Sequence, residues 1–487
     1  MWLLCRQMNK HLKARKITIL LFSLLLVSCG ESEIVPTTSG TTSSSTSDVT
    51  PPSEPTTTQQ STSSTASTTS SSEPHVCLHD GEKHYSCDEV ENYEDYKVEV
   101  VCDLCNEVLQ TLSLNTGLPI ISINTNNEPI ASKETYVSGG MKIINTDSSV
   151  NEYEMEIKGR GNATWNYPKK PYKLKLSAKK SLLGMNKNKS WALLANYSDK
   201  TLLRNAIAFK TSELLGMEYT IDYRFVDLII NGEYVGNYML TETVKEGIDR
   251  VNVSDDGFIL EYSQYDDEEL KFTTDCGHSF NFKFPDDEIS DEQMNYTKNL
   301  MNEFESVLYA DDETAFDPTT GYRNYIDIHE WAKWFLAQNI IVNQDTNRYI
   351  YKYDNTDGSK LKYGPMWDAE WSLGVGWYNG ERPNPNHSLV NHLYYSRLIN
   401  DPYFKSIVKE EWDAIKGSIE TNLMNFIDQE AVSLSVSQEV NFTRWDIMNS
   451  VISVGGIPMG SYWKELKCDK DYLSAQLQYL TDLIATW

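Results

Sequence analysis

Asp345 and Asp368 stand at the two ends of a segment that reads as a β-hairpin. A helical pattern ends in Asn343-Gln-Asp345-Thr-Asn347, Arg348-Tyr-Ile-Tyr-Lys-Tyr353 follows as a strand, and Asp357-Gly358 supplies a turn. The return, Leu361-Lys-Tyr-Gly-Pro-Met366, runs into Trp367-Asp368-Ala-Glu370-Trp371. A hairpin of this kind brings the Asp345/Asn347 end close to the Asp368 end. Carboxylates and an amide converging on one cleft hold a hard cation through oxygen. Facing a basic surface, they suit a metal–polyphosphate complex and phosphoryl transfer: one carboxylate orients the attacking hydroxyl, while the other and the amide hold Mg²⁺. The competing reading of the same spacing is structural, with Asp345 capping a turn and Asp368 paired with a cation.

A basic surface is present in the sequence. The chain carries a net charge of −27, which argues against general nucleic-acid binding because phosphate backbones are repelled. Yet residues 157–198 contain no Asp or Glu and hold Lys158, Arg160, Lys169, Lys170, Lys173, Lys175, Lys179, Lys180, Lys187 and Lys189. Positive charge gathered inside a negative chain suggests an anion site, with phosphate the first candidate and a solvated basic face the alternative. Within this window, Lys158-Gly-Arg-Gly-Asn-Ala-Thr-Trp165 combines glycines that admit close backbone approach with fixed donors.

The elements that position these groups follow from periodicity. Strands are expected at 118–123, 141–144, 153–157 and 172–176, the last alternating so that Lys173 and Lys175 share a face. A helix is expected over 199–215, with Asp199 as N-cap and Gly216 as its end. Asn231-Gly232 between two apolar runs predicts a hairpin that leads to Glu242. Strands at 257–261 and 280–284 precede helical patterns at 291–308 and 326–342, and helices dominate from about 390. Strands first and helices later indicate an α+β protein with two lobes, and a ligand cleft fits between them.

The N-terminus reads as a targeting segment. Arg6, Lys10, Lys13, Arg15 and Lys16 precede an apolar run at 17–27 that is too short to span a membrane comfortably. It ends in Leu26-Val27-Ser28-Cys29-Gly30, which resembles a bacterial lipobox. Residues 1–29 are therefore expected to be a lipoprotein signal peptide, with Cys29 lipidated and the protein anchored on the extracellular face of the bacterial cell membrane. An ordinary signal peptide with an incidental cysteine is the alternative. Residues 30–74, rich in Ser, Thr and Pro, read as a disordered stalk. Residues 75–116 read as a small module in which Cys77, His79, Cys87, Cys102 and Cys105 supply zinc ligands, or disulfides, in place of a large core.

Six sequence runs carry a family resemblance: Lys158-Gly-Arg-Gly-Asn-Ala-Thr-Trp165, Lys169-Lys-Pro-Tyr-Lys-Leu-Lys175, Trp191-Ala-Leu-Leu-Ala-Asn-Tyr197, Asp199-Lys-Thr-Leu-Leu-Arg-Asn205, Asn231-Gly-Glu-Tyr-Val-Gly-Asn-Tyr238 with Glu242, and Pro365-Met-Trp-Asp368. In that order they resemble the CotH family, named for spore coat protein H, over residues 117–487. The resemblance implies an atypical protein-kinase-like, two-lobed fold and Mg²⁺- or Mn²⁺-dependent transfer of the γ-phosphate of ATP to Ser/Thr of a protein substrate. It implies Asp345 as the catalytic Asp, Asp368 as metal ligand and Asn347 as second metal ligand. The Asp345–Asn347 offset of two departs from the offset of five in ordinary kinases. Glu242 is implied beside adenine, either Lys173 or Lys175 on the phosphates, and Arg160 and Arg204 as phosphate or ion-pair partners. Ala163 replaces a usual Ser, and Glu370 a usual Asp. The rival function is a surface binding or adhesion protein on a kinase-like scaffold, suited by the 29 Tyr and 12 Trp residues.

Overall fold

The computed structural model describes residues 77–79, 81–263, 269–343, 345, 348–375, 392–452 and 457–487. The signal segment with Cys29, the stalk at 30–74 and Asn347 lie outside the described residues. The chain is α+β, a barrel-like sheet with nine helices among the described residues. None of those helices is long and apolar enough to cross a membrane.

Ten strands form the larger sheet. They are β1 (Lys83–Ser86), β2 (Lys97–Cys102), β3 (Val108–Ser113), β4 (Ile120–Asn124), β5 (Val137–Ile144), β6 (Val150–Gly159), β7 (Tyr172–Lys180), β8 (Asn188–Leu194), β9 (Tyr223–Ile230) and β10 (Glu233–Glu242). Their order is β3-β2-β1-β10-β8-β7-β6-β5-β4-β9, and β9 also pairs with β10, so the strands from β4 to β10 close into a ring. The last join needs β4 to run parallel to β9, Ile120 opposite Asp227. Buried apolar side chains from these strands form one core cluster. On β7, Tyr172, Leu174 and Leu176 are buried while Lys173 and Lys175 face outward. Asn231 and Gly232, at φ 51° and 79°, make the tight β9–β10 turn that their sequence predicts.

The expected Cys/His module is continuous with this sheet. β1 pairs with β10 at Ser86–Glu233, and Tyr93, Tyr96 and Val98 share a core with Ile120, Ile229 and Tyr234. Cys87, a ligand candidate from the sequence, belongs to that core instead. Its burial, with Asp88 and Asp227 nearby, pushes the thiol up to about 12 and disfavours the thiolate a metal needs.

The second sheet has the order β12-β13-β11-β14-β15 and comprises β11 (Phe258–Tyr262), β12 (Lys271–Thr273), β13 (Ser279–Phe284), β14 (Arg348–Lys352) and β15 (Lys362–Tyr363). It shares an apolar core with α1 (Arg204–Leu214), α2 (Asp291–Leu308), α3 (Asp312–Ala315) and α4 (Ile328–Ile341). Helix α4 is buried almost all round and runs through the middle of this core. Around it pack α5 (Tyr395–Leu398), α6 (Pro402–Ile415) and α9 (Tyr462–Ile484); α7 (Ile419–Ser433) lies against α1 and α9, and α8 (Ser437–Arg444) lies on β10.

Helix α1 starts later than its sequence suggests. Asp199 does not cap a helix beginning at residue 200. Its carboxylate takes the Thr201 amide at 2.9 Å, the Arg204 amide at 2.8 Å and the Arg204 guanidinium at 2.6 Å, so the chain makes a turn before the helix begins. The other side of that guanidinium meets Asp469 of α9 at 2.8 Å. Burial alone would depress the Arg204 guanidinium, and Asp469 and Asp199 more than offset this, holding it above its ordinary value. Removing Asp469 leaves that side of the buried guanidinium without an acceptor. We expect Asp469→Ala to lower unfolding free energy by roughly 1–3 kcal/mol. The triple variant Asp199→Asn, Arg204→Met, Asp469→Leu, which removes every charge of the triad, should regain much of that loss in urea denaturation.

Candidate active site

The run from Gly159 to Trp165 folds back on itself. A Cβ on Gly159 would stand 2.4 Å from the Trp165 ring, and one on Gly161, at φ 82°, would stand 2.1 Å from the Thr164 hydroxyl. Both glycines are therefore needed for the turn to close. The closed turn carries Arg160 on its outside, held by its amide to the Pro171 carbonyl at 3.2 Å. The Arg160 guanidinium sits 5.3 Å from the ring centre of Trp367 and is close enough to Asp368 to interact with it electrostatically.

The acid-bearing hairpin forms as expected, with Ile350 opposite Tyr363 and Tyr351 opposite Lys362. Asp345 precedes β14 and Asp368 follows β15. Asp368 is held at φ 59°, the left-handed region that Asp tolerates better than most residues. Its position is fixed from both sides. Asn343 donates to the Asp368 carbonyl at 3.0 Å, and the Ala369 amide donates to Asn205 of α1 at 2.8 Å. Glu370, two residues on, accepts the Ser198 amide at 3.0 Å.

These groups meet in one cavity of about 640 Å³, a size that suits a nucleotide-sized ligand. Its acidic lining is Asp345, Asp368, Glu370 and Glu261, and its basic lining is Arg160, Lys169, Lys283 and Arg348. Lys283 and Glu261 pair across β13 and β11 at 2.9 Å. The Asp368 side chain is exposed and opens into the cavity, where a ligand can reach it. Burial pushes its carboxyl up to about 6, against the pull of Arg160 and with Asp345 and Glu261 adding to the rise. Burial likewise raises Asp345, and raises Glu370 to about 7. On the basic side, burial lowers Lys169 to about 7; its ammonium donates to the Asn237 carbonyl and, at 2.9 Å, to Asn441 of α8. Carboxylates whose ionisation is disfavoured by burial are discharged by a bound cation, and oxygen donors opposite guanidinium and ammonium groups fit a metal–polyphosphate ligand.

The structure brings Arg160, Asp345 and Asp368 to this cavity and, among the described candidates, leaves Lys173, Lys175, Arg204 and Glu242 out of its lining. Arg204 is committed to Asp199 and Asp469 in the core. Glu242 is buried against the Tyr219 hydroxyl at 2.7 Å and the Asp222 amide at 3.2 Å, with Arg250 beside it, and does not line the cavity. Lys175 is exposed, 3.7 Å from Glu156. Lys173, on the same face, is not in the lining, but its charged neighbours include Arg160 and Lys283; burial and these cations lower it to about 8. Lys179, Lys180, Lys187 and Lys189 are exposed. Cys102, at the end of β2, is buried, and Cys105, in the turn that follows, is exposed.

Sequence reading passed over Lys283, Glu261 and the positioning role of Asn205. Lys283 and Glu261 stand on facing strands whose pairing no local pattern reveals. Asn205 ends a run that had been singled out, and its side-chain role depends on a contact 164 residues away.

The family profile described as CotH kinase protein matches residues 157–484. The chain belongs to the CotH family. No curated protein matches it in sequence. The CotH match takes in the Gly159–Trp165 turn, the acid-bearing hairpin and α9, so every cavity-lining group named above lies within it. In this CotH member Ala163 lines the cavity and its backbone carbonyl accepts the Asn166 amide at 3.0 Å.

Asn205→Ala removes the acceptor of the buried Ala369 amide, a loss of about 1–3 kcal/mol. Hydrogen exchange should speed up at residues 366–370 well beyond any change at α4. Equal protection in variant and parent would show that Asn205 does not hold the Asp368 segment.

Proposed function

We propose that this chain is an atypical protein kinase that transfers the γ-phosphate of ATP to Ser or Thr of a protein substrate. The observation that carries this reading is the meeting of Asp345 and Asp368 with Arg160 and Lys283 in one cavity. The barrel and the helical part are proposed as the two lobes of the kinase-like fold. The export signal, lipidated Cys29 and stalk are proposed to tether it outside the membrane.

In this reading Arg160 and Lys283 hold the phosphate oxygens, and their fixed positions replace solvent that would otherwise have to reorganise. Asp368 would hold Mg²⁺ or Mn²⁺, with Asn347 as second ligand on the strength of its sequence position. The bound cation supplies charge neutralisation for the departing diphosphate oxygen. Asp345 orients the substrate hydroxyl and takes its proton as the hydroxyl oxygen bonds to the γ-phosphorus. The bond from that phosphorus to the bridging oxygen breaks, and its electron pair leaves with ADP. Burial raises the Asp345 carboxyl and makes it a better base than an exposed aspartate. Asn205, Asn343 and the Ser198 amide keep the Asp368–Glu370 segment in place.

The test is calorimetry and labelled-ATP transfer with the full chain in Mg²⁺ or Mn²⁺. The parent should bind ATP and label a Ser/Thr-rich acceptor. Asp345→Asn should keep nucleotide binding and lose transfer by orders of magnitude, and Asp368→Asn should lose metal-dependent binding. A parent that binds no nucleotide overturns the proposal. If a protein or polysaccharide ligand is retained by both variants, the adhesion reading gains instead.

A further inference from the structure

We infer that the barrel carries a second ligand site, at the end remote from the acid-bearing cavity, and that it takes a short neutral oligosaccharide. A cavity of about 870 Å³ opens there, within the range of small-molecule sites. Its walls come from the β5–β6 turn, the start of β6, the chain after β7, the start of β9 and the end of α7. Strand β6 connects the two places. Asn151, near its start, lines this cavity, and Arg160, just past its end, lines the other. About 30 Å of extended chain lies between them.

The rows of side chains that face the barrel core change character at this end. Met141 and Ile143 of β5, Met155 of β6, and Val226 and Leu228 of β9 belong to that core. Side chains two residues apart share a face of a strand. Continued toward the cavity, the first row reaches Asn145, the second Tyr153 and then Asn151, and the third Arg224 and then Asp222. Tyr153 and Leu183 pack on the core and close it. Beyond them each row ends in an amide or a charge, and all of these groups line one cavity.

The polar groups hold one another in place and keep bonding capacity for a ligand. Asn145 donates through Nδ2 to the Ser149 carbonyl at 3.2 Å and to Asn151 Oδ1 at 3.3 Å, which sets the two amides side by side. Asn145 Oδ1 is left as an acceptor and Asn151 Nδ2 as a donor. Arg224 uses Nη1, at 2.5 Å from both Asp222 Oδ1 and the Tyr223 carbonyl, and keeps Nε and Nη2. Glu430, brought by α7, accepts no hydrogen bond among the described residues, although burial raises its carboxyl and Arg224 acts against the rise.

A sugar hydroxyl donates one hydrogen bond and accepts others, so its site needs fixed acceptors beside fixed donors. Asp222, Glu430 and Asn145 supply the acceptors, and Asn151 and Arg224 the donors. Two carboxylates against one guanidinium leave the lining net negative, which disfavours phosphate and other anions. The rings of Tyr153 and Tyr223 add apolar surface for the C–H faces of a sugar. None of these residues lines the acid-bearing cavity, so the inference does not rest on the kinase reading.

The test places the full chain on an array of neutral, amine-bearing and acidic oligosaccharides, followed by calorimetry with the neutral one best retained. The parent should retain neutral oligosaccharides. Asn151→Ala, at an exposed position, and Glu430→Gln, at a half-buried one, should each keep the parent's circular dichroism. Each should weaken binding several-fold, and the two together at least tenfold. Asp345→Asn with Asp368→Asn should leave the sugar affinity unchanged, which separates this site from the other cavity. Competition by the matching polysaccharide would identify a polymer as the source of the ligand, and its absence a free oligosaccharide. A parent that retains no neutral oligosaccharide, or only amine-bearing or acidic ones, overturns the inference, as does sugar binding that survives the Asn151 and Glu430 changes together.

Discussion

A buried arginine between two aspartates organises the molecule. Arg204 cannot be left alone in an apolar core, and Asp199 on one side and Asp469 on the other take up its donors. Asp199 belongs to the turn that leaves the barrel, and Asp469 to α9 near the C-terminus. The ion triad therefore fastens the end of the chain to the exit of the barrel. Asn205, the next residue, takes the Ala369 amide and so transmits that fixed position to Asp368. A charge network placed for structural reasons sets the geometry of the cavity floor.

The cavity keeps opposite charges at short range without letting them neutralise one another fully. Glu370 is tied to a backbone amide, Lys169 to a carbonyl and an amide oxygen, and Lys283 to Glu261, while Asp368 looks into open space. The ties of Glu370 and Lys169 take those two charges out of competition and leave Asp345, Asp368, Arg160 and the Glu261-paired Lys283 as the charged groups that a ligand meets. The raised carboxyls of Asp368 and Asp345 follow from the same crowding: burial is the larger cause, and neighbouring acids add to it at Asp368. A ligand that brings a cation to the acids and phosphate to the bases relieves both sides at once.

Much of this could be read in the sequence where the signal is local. Period-two alternation located β6 and β7, Asn231-Gly232 located the β9–β10 turn, and the hairpin between Asp345 and Asp368 was visible from its turn residues and flanking runs. The helix pattern at 291–308 has the bounds of α2. What escaped was set by distant contacts. The start of α1 was misread because Asp199 caps a turn and an arginine, five residues before the helix interior begins. Arg204 and Glu242 have the charge of a ligand-binding residue, and only the fold shows that each is already engaged. The position of Cys87 is decided by the sheet continuing through β1, which composition does not reveal.

The ring of strands imposes an order on how the protein can be made. β4 joins β9 in parallel across roughly a hundred residues, and such a pairing carries a large loop-closure cost before it gives any return. The antiparallel neighbours β5 to β8 can zip up locally, but the barrel stays an open sheet until β9 has been synthesised and turned into place. Arg160 and Asn205 both lie inside that long span, and Asp368 lies beyond it. A chain still closing its ring therefore has neither wall of the cavity, and the site arises late, as a property of the finished topology.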